Sequence, residues 1–143
     1  METEEFSQSL LDGTAHLMRI SLQDLMGFMH LKGLSMAQIN VLYQLYYHGP
    51  CEVLAFTRVL DLSPAGASQL IERMVRQGWV ERVEDPADRR VRRVHLTEPG
   101  RQLTAESIAA RNEWITRFSA RLTGAERQQV AQAFRLLAER MEG

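Results

Sequence analysis

The chain has 143 residues, a length that suits one domain with a hydrophobic core of its own. Its composition is 45% hydrophobic and 24% charged, as in ordinary globular proteins, and no apolar run approaches the roughly 20 residues that a membrane span needs. A single cysteine, Cys51, excludes an internal disulfide, and the acidic residues 2–5 lack the pattern of a secretory signal. We therefore expect a cytoplasmic protein without membrane contact.

Apolar residues recur at helical spacing along most of the chain, and turn-forming residues separate the segments. Ser35 and Gln38 have the spacing of a capping box at the start of the second helix. Ser63 is a favourable N-cap for the fourth helix, which Pro64 begins, and Thr97 is expected to cap the fifth. The predicted helices cover residues 4–31, 35–48, 52–60, 64–77, 98–121 and 125–141, and the predicted strands cover 79–83 and 91–96. Helices followed by a two-stranded hairpin predict a mainly α, winged helix-turn-helix fold.

Positive charge is concentrated in the middle of the chain, although the net charge is −1. Residues 58–101 contain nine arginines and seven acidic residues, whereas the remainder contains eight basic and eleven acidic residues. Four of these arginines fall within residues 89–93. A local basic footprint is what a DNA-binding surface needs, whatever the charge of the whole chain.

The helix predicted at 64–77 has one apolar and one polar face. The polar face carries short hydrogen-bonding residues first and arginines later, which suits base edges and phosphates respectively. Gln69 can pair bidentately with adenine, and Ser68 can serve several bases or a phosphate. A surface helix with a solvated polar face is the alternative interpretation. The predicted apolar face consists of Ala67, Leu70, Ile71, Met74 and Val75, and the polar face of Ala65, Ser68, Gln69, Glu72, Arg73 and Arg76.

The turn at 84–90 is rich in charge. Asp88 and Arg90 are two residues apart, so we expect the carboxylate to brace the guanidinium and aim it. An arginine at the tip of a protruding loop suits the negative potential of the minor groove. The alternative is a solvated turn with weak surface ion pairs.

Other chemistry finds little support in the sequence. Glu52 beside Cys51 would raise the thiol pKa, so a small packed side chain is expected rather than a redox sensor. The histidines form no ligand pair at helical spacing, although a zinc site that the fold assembles from His16, His30 and a carboxylate stays an alternative. Phosphate loops, nucleophile elbows and paired catalytic carboxylates are absent from the sequence, so we predict neither an enzyme nor a cofactor.

Five segments together resemble the MarR family of winged helix-turn-helix transcription regulators. They are Gly-Leu-Ser-Met-Ala-Gln at 33–38, the recognition-helix segment 62–74, Gly-Trp-Val-Glu-Arg at 78–82, the wing sequence Asp-Pro-Ala-Asp-Arg-Arg at 85–90 and Leu-Thr-Glu-Pro-Gly at 96–100. The order of the segments matches, and the wing with the Leu-Thr-x-x-Gly step is the specific part.

The resemblance implies a homodimer with the topology α1-α2-α3-α4-β-β-α5-α6 in one domain over 1–143. Helices 4–31 and 98–141 would form the dimer, and 35–97 the DNA-binding lobe. By position it assigns Ser63, Ser68, Gln69 and Arg73 to the groove-facing helix and Asp88 and Arg90 to the wing. Adjacent cations complete the predicted DNA contacts, which are Ser63, Ser68, Gln69, Arg73, Arg76, Asp88, Arg89, Arg90 and Arg92.

The family often binds phenolic or lipophilic anionic effectors, and the resemblance implies a pocket for one. The residues that we assign to it are His16, Arg19, His30, Tyr43, Tyr47 and Trp114. Ordinary core and interface packing is the alternative for each of them. We thus predict a repressor that binds a pseudo-palindromic duplex and is released from it by a small-molecule effector. A protein-interaction module of the same fold without DNA binding is the alternative, which the weak basic excess favours.

Overall fold

The computed structural model describes residues 2–142, so residues 1 and 143 of the predicted domain lie outside the described range. Six helices and three short strands follow one another in the order α1-α2-β1-α3-α4-β2-β3-α5-α6. Their bounds are α1 Thr3–Lys32, α2 Met36–His48, β1 Cys51–Glu52, α3 Val53–Leu60, α4 Pro64–Arg76, β2 Val80–Glu84, β3 Arg92–Leu96, α5 Glu98–Ser119 and α6 Gly124–Met141. The predicted helices and their order are therefore confirmed. Within the described range, no helix combines the length and the apolar character needed to cross a bilayer.

The predicted hairpin is part of a three-stranded antiparallel sheet in the order β1-β3-β2. Strand β1 pairs Cys51 with Val94 and Glu52 with Arg93, so β3 has a neighbour on both sides. A two-residue strand shows no alternation in the sequence, which is why the prediction contained only two strands.

Local capping chemistry sets the helix boundaries. The Ser35 hydroxyl accepts the backbone N–H of Gln38, and the Gln38 side chain accepts the backbone N–H of Ser35, which confirms the predicted capping box. Gln38 is itself buried, and its Nε2 donates to Oε1 of Gln77 at 3.0 Å. The start of α2 is therefore tied to the residue that follows α4.

Two compact units divide the chain. A central unit comprises Leu25–Ala110, and a terminal unit comprises the residues up to Asp24 together with those from Arg111 onward. Within residues 2–142, all the buried hydrophobic side chains belong to the central unit, including the fully buried Phe56, Ile71 and Met74. Among its described residues, the terminal unit contains no buried side chain.

The central unit contains one very close backbone approach. Gly100, in the first turn of α5, lies so near Trp79 that a Cβ added at this glycine would collide with the Trp79 carbonyl oxygen. The same carbonyl accepts the backbone N–H of Thr97 at 3.1 Å, and the Thr97 hydroxyl donates to the Gly78 carbonyl. Only glycine can start α5 this close to β2 without moving the backbone.

Candidate nucleic-acid interface

A tight turn joins α3 to α4 in the central unit. Asp61 ends α3 in the left-handed region at φ 51°, and its N–H donates to the Thr57 carbonyl. Ser63 caps α4, and its hydroxyl accepts the N–H of Gly66 at 3.0 Å. A Cβ on Gly66 would lie 3.1 Å from that hydroxyl oxygen, so the missing side chain leaves room for the cap. Ser63, a predicted DNA contact, thus has its oxygen engaged in the helix cap.

Helix α4 buries one face and exposes the other. Ala67, Leu70, Ile71 and Met74 are buried, as predicted, whereas Val75 is 38% exposed and its inward prediction is wrong. Each step of four residues along an α-helix turns about 40° beyond a full turn. Two such steps, from Ala67 through Ile71, place Val75 outside the buried face of α4. On the other face, Ser68 is half-buried, and the remaining predicted contacts of this helix are exposed: Gln69, Arg73 and Arg76.

The wing loop is held by Asp85. Its Oδ1 accepts the N–H of Ala87 at 2.9 Å, and its Oδ2 accepts Nε of Arg93 at 2.9 Å. The Ala87 N–H holds the pKa of Asp85 below its ordinary value, desolvation acts in the opposite direction, and the Arg93 guanidinium lowers the pKa further. The sequence prediction did not include this ion pair, because it joins residues on opposite sides of the hairpin.

Asp88 has a different partner from the predicted one. Its Oδ1 accepts the backbone N–H of Arg90 at 3.0 Å, and no ion pair with the Arg90 guanidinium occurs within residues 2–142. The structure therefore shows a contact to the backbone in place of the expected brace on the guanidinium, because a two-residue spacing favours a local turn around the backbone. Arg89 and Arg90 are exposed at the tip of the wing loop. Nη2 of Arg92 lies 3.9 Å from Oε1 of Glu84.

Arg82 is a cation of this surface that the sequence prediction missed. It lies on β2, and its Nη2 donates to the Ser68 hydroxyl on α4 at 3.4 Å. Alternation along β2 places Arg82 on the same side of the strand as the buried Val80, and that signal could have identified it.

The predicted effector residues are divided between the two units. In the terminal unit, His16 and Trp114 line an apolar cavity of about 750 Å³ between α1, α5 and α6, and Nη2 of Arg19 donates to Nδ1 of His16 at 3.0 Å. In the central unit, the rings of Tyr43 and Tyr47 pack edge to face 6.0 Å apart, and His30 is exposed. Their role in effector binding stays a prediction.

Cys51 lies half-buried on β1. Burial raises the pKa of its thiol and Glu52 raises it further, whereas Arg93 acts in the opposite direction. A thiol with a raised pKa is a weak nucleophile. No group of three histidine, cysteine or carboxylate side chains in the described part of the chain could hold a metal ion.

Comparison with known families finds a similarity in the middle of the chain. A sequence profile of the MarR family matches residues 32–91, from the end of α1 to the end of the wing loop. This part of the chain is similar to the MarR family, and the match covers less than half of the 143 residues. The match covers the helix-turn-helix, strand β2 and the wing loop, whereas the segment 96–100 that also carried the resemblance lies beyond it.

Individual relatives and structures agree with this similarity. YsmB of Bacillus subtilis, an HTH-type transcriptional regulator, is 38% identical over 71 residues, which are 50% of this chain and 49% of YsmB. This chain thus spans about half the length of YsmB in the alignment. MdtR of the same species, an HTH-type transcriptional repressor, is 28% identical over an alignment that covers 80% of this chain and 74% of MdtR. The transcriptional regulator Tm0710 of Thermotoga maritima shares the fold, with a TM-score of 0.82 and 22% identity over 98% of this chain and 96% of its own.

Proposed function

We propose that this protein is a transcriptional repressor that binds double-stranded DNA sequence-specifically as a homodimer in the cytoplasm. The observation that carries the proposal is the surface of the central unit. Helix α4 exposes Gln69, Arg73 and Arg76, and the wing exposes Arg89 and Arg90. A helix suited to the major groove and a basic loop suited to the minor groove are the two elements that a winged helix-turn-helix protein brings to DNA.

The family supports regulation rather than catalysis. MarR proteins are transcription regulators and not enzymes. MdtR of Bacillus subtilis and MprA of Escherichia coli both carry the name repressor, which is why we propose repression for this chain.

The terminal unit supports the homodimer. Helix α6 has no buried residue among those described, and α1, α5 and α6 surround an apolar cavity lined by Phe118, Val130 and Phe134. Leu11 and Met18 on α1 are 63% and 72% exposed. A second copy related by two-fold symmetry would cover these side chains and would place two α4 helices in major grooves about 10 base pairs apart. The operator would then be pseudo-palindromic.

Release by a small phenolic or lipophilic anionic effector is part of the proposal. His16 and Arg19 supply polar groups beside the apolar wall that Trp114 contributes. Thermal unfolding with and without salicylate, a phenolic anion, would test it on the wild type and on Arg19→Ala. We expect salicylate to raise the unfolding temperature of the wild type alone, and an equal shift in both proteins would contradict a role for Arg19.

DNA binding is tested by fluorescence anisotropy with a random-sequence duplex at two salt concentrations. Four phosphate contacts predict a loss of affinity on the order of 100-fold between about 50 and 200 mM salt. Arg90→Ala should weaken binding and reduce the salt dependence, whereas Arg101→Ala, a matched exposed arginine on α5, should change neither. No binding at the lower salt concentration would contradict the proposal and favour a protein-interaction module.

Recognition of a particular DNA base sequence needs a separate test, because contacts to phosphates carry no information about the bases. A duplex selected by the wild type from a random library provides the specific probe. Gln69→Ala should lower affinity for this duplex by about 5- to 100-fold and flatten the preference at one base position, with little change on random DNA. An equal loss on both probes would contradict base reading by Gln69. Light scattering that shows a stable monomer at micromolar concentration would contradict the dimer.

A further inference from the structure

Arg82 approaches the recognition helix α4 from the side of the sheet. Its Nη2 lies 3.4 Å from the Ser68 hydroxyl oxygen, at the long end for an N–H···O hydrogen bond. Its Nε is buried and has no hydrogen-bond partner in the described structure. No carboxylate of residues 2–142 forms an ion pair with Arg82, although Glu72 and Glu81 line the same surface pocket.

This contact determines whether the Ser68 hydroxyl acts as a hydrogen-bond donor or as an acceptor toward other groups. A guanidinium can only donate hydrogen bonds, so Ser68 must be the acceptor in this pair. The hydroxyl proton has no acceptor among the described residues, because no hydrogen bond donated by Ser68 occurs there. The adjacent positive charge repels a second donor, and hydrogen bonds in a chain polarise one another. The Ser68 hydroxyl therefore keeps its own proton to donate to a partner outside the described residues.

We propose that Arg82 is a positioning residue that fixes Ser68 as a donor toward DNA and thereby sets a base preference in each half-site. This inference rests on the proposed DNA-binding function. In the major groove a donor selects N7 of a purine, O6 of guanine or O4 of thymine over the N4 amino group of cytosine. Arg82 acts through Ser68 and does not itself touch the base.

A double-variant cycle of Ser68→Ala and Arg82→Met tests this role. Methionine keeps an unbranched stem but removes the charge and all the donors. Each single variant should lower affinity for the duplex that the wild type selects from a random library by about 10-fold. The double variant should also lose about 10-fold rather than 100-fold, because both changes remove one interaction. Affinity for unselected random duplex should change less than about twofold.

Selection of duplexes from a random library is repeated with each single variant. The base preference at each position is the measurement, and a merely structural role of Arg82 would not change it at one position alone. Both variants should lose the preference at the same base position of the half-site and keep it elsewhere. Arg101→Lys, an exposed arginine of the same unit, is the matched control and should keep every preference. If thermal unfolding shows that Arg82→Met does not fold, the cycle is run with Arg82→Lys, in which Ser68→Ala should cost a smaller factor than in the wild type.

The outcomes separate the two proposals. Suppose that the wild type selects a duplex and the double variant loses about 100-fold in affinity, the product of the two single losses. Arg82 then does not act through Ser68, and only this inference is contradicted. Equal losses on selected and random DNA would identify Arg82 as a direct phosphate contact and would also overturn it. If the wild type selects no sequence, the proposed sequence-specific function fails and this role of Arg82 fails with it.

Discussion

Nε of Arg93 lies 2.9 Å from Oδ2 of Asp85, so an ion pair joins the second wing strand to the loop that leaves the first. The same carboxylate accepts the Ala87 N–H, and both partners favour its charged form. The ionised form of Asp85 therefore favours this conformation of the wing loop.

We expect Asp85→Asn to destabilise the protein in a pH-dependent way. The pKa of Asp85 is lowered in the folded chain, so its contribution is complete above its unfolded pKa of about 3.9 and is lost as the pH falls through the folded pKa. Urea unfolding of wild type and variant should differ most above about pH 5 and converge at lower pH. Glu84→Gln is the control, because Glu84 lies 3.9 Å from Arg92 in a largely exposed pair. A wild-type advantage that persists unchanged below the folded pKa would contradict this role.

Asp88 offers a test of how the wing tip is held. Asp88→Asn keeps an acceptor for the Arg90 N–H and removes a negative charge near the proposed DNA surface. It should bind random duplex at least as tightly as the wild type. Asp88→Ala also loses the hydrogen bond, worth about 1 kcal/mol, and should bind about fivefold more weakly than Asp88→Asn. If both variants bind equally weakly in anisotropy measurements, the carboxylate charge itself aims Arg90 in the complex.

Gly100→Ala should cost at least about 2 kcal/mol in the free energy of unfolding, because the added methyl would collide with the Trp79 carbonyl oxygen. Chemical denaturation followed by circular dichroism measures the loss. Gly27→Ala is the matched control, since its Cβ would meet nothing within 4 Å. That helical substitution should raise stability by up to about 1 kcal/mol. Equal effects of the two substitutions would show that the α5 start has room to shift.

Gln38→Ala removes two side-chain hydrogen bonds, one to the Ser35 N–H in the capping box and one to Gln77, so it should destabilise the chain by about 2 kcal/mol. Gln77→Ala removes only the hydrogen bond between the two glutamines and should cost about 1 kcal/mol. Thermal unfolding of the two variants distinguishes the contributions. A larger loss from Gln77→Ala than from Gln38→Ala would be incompatible with a stabilising capping box.

Sequence patterns predicted the features that depend on neighbouring residues. The caps at Ser35 and Ser63 and the Thr97 cap on α5 are local, because each side chain bonds a backbone group three residues away. The left-handed Asp61 was likewise foreseeable, because aspartate tolerates that conformation better than most residues. The buried stripe of α4 followed from helical periodicity up to Met74.

The missed features depend on residues that are distant in sequence. Strand β1 exists because the edge of β3 is free to accept Cys51 and Glu52, and two residues carry no periodic signal. The Arg82–Ser68 and Asp85–Arg93 contacts require the final packing of strand, helix and loop. The predicted DNA contacts and effector residues remain predictions, because testing them requires a bound duplex or a bound small molecule. The predicted limits of the DNA-binding lobe, 35–97, and of the dimerisation helices likewise remain predictions, because they depend on a second subunit.

Strand β3 is hydrogen-bonded on both edges, to β1 and to β2. A strand in the middle of a sheet cannot swing without breaking two ladders, so the root of the wing is stiff. Residues 85–91 lie beyond the last paired residues of the ladder, Glu84 and Arg92. We therefore expect any adjustment to local groove width to occur at the tip, where Arg89 and Arg90 are exposed, and not in the strands that support it.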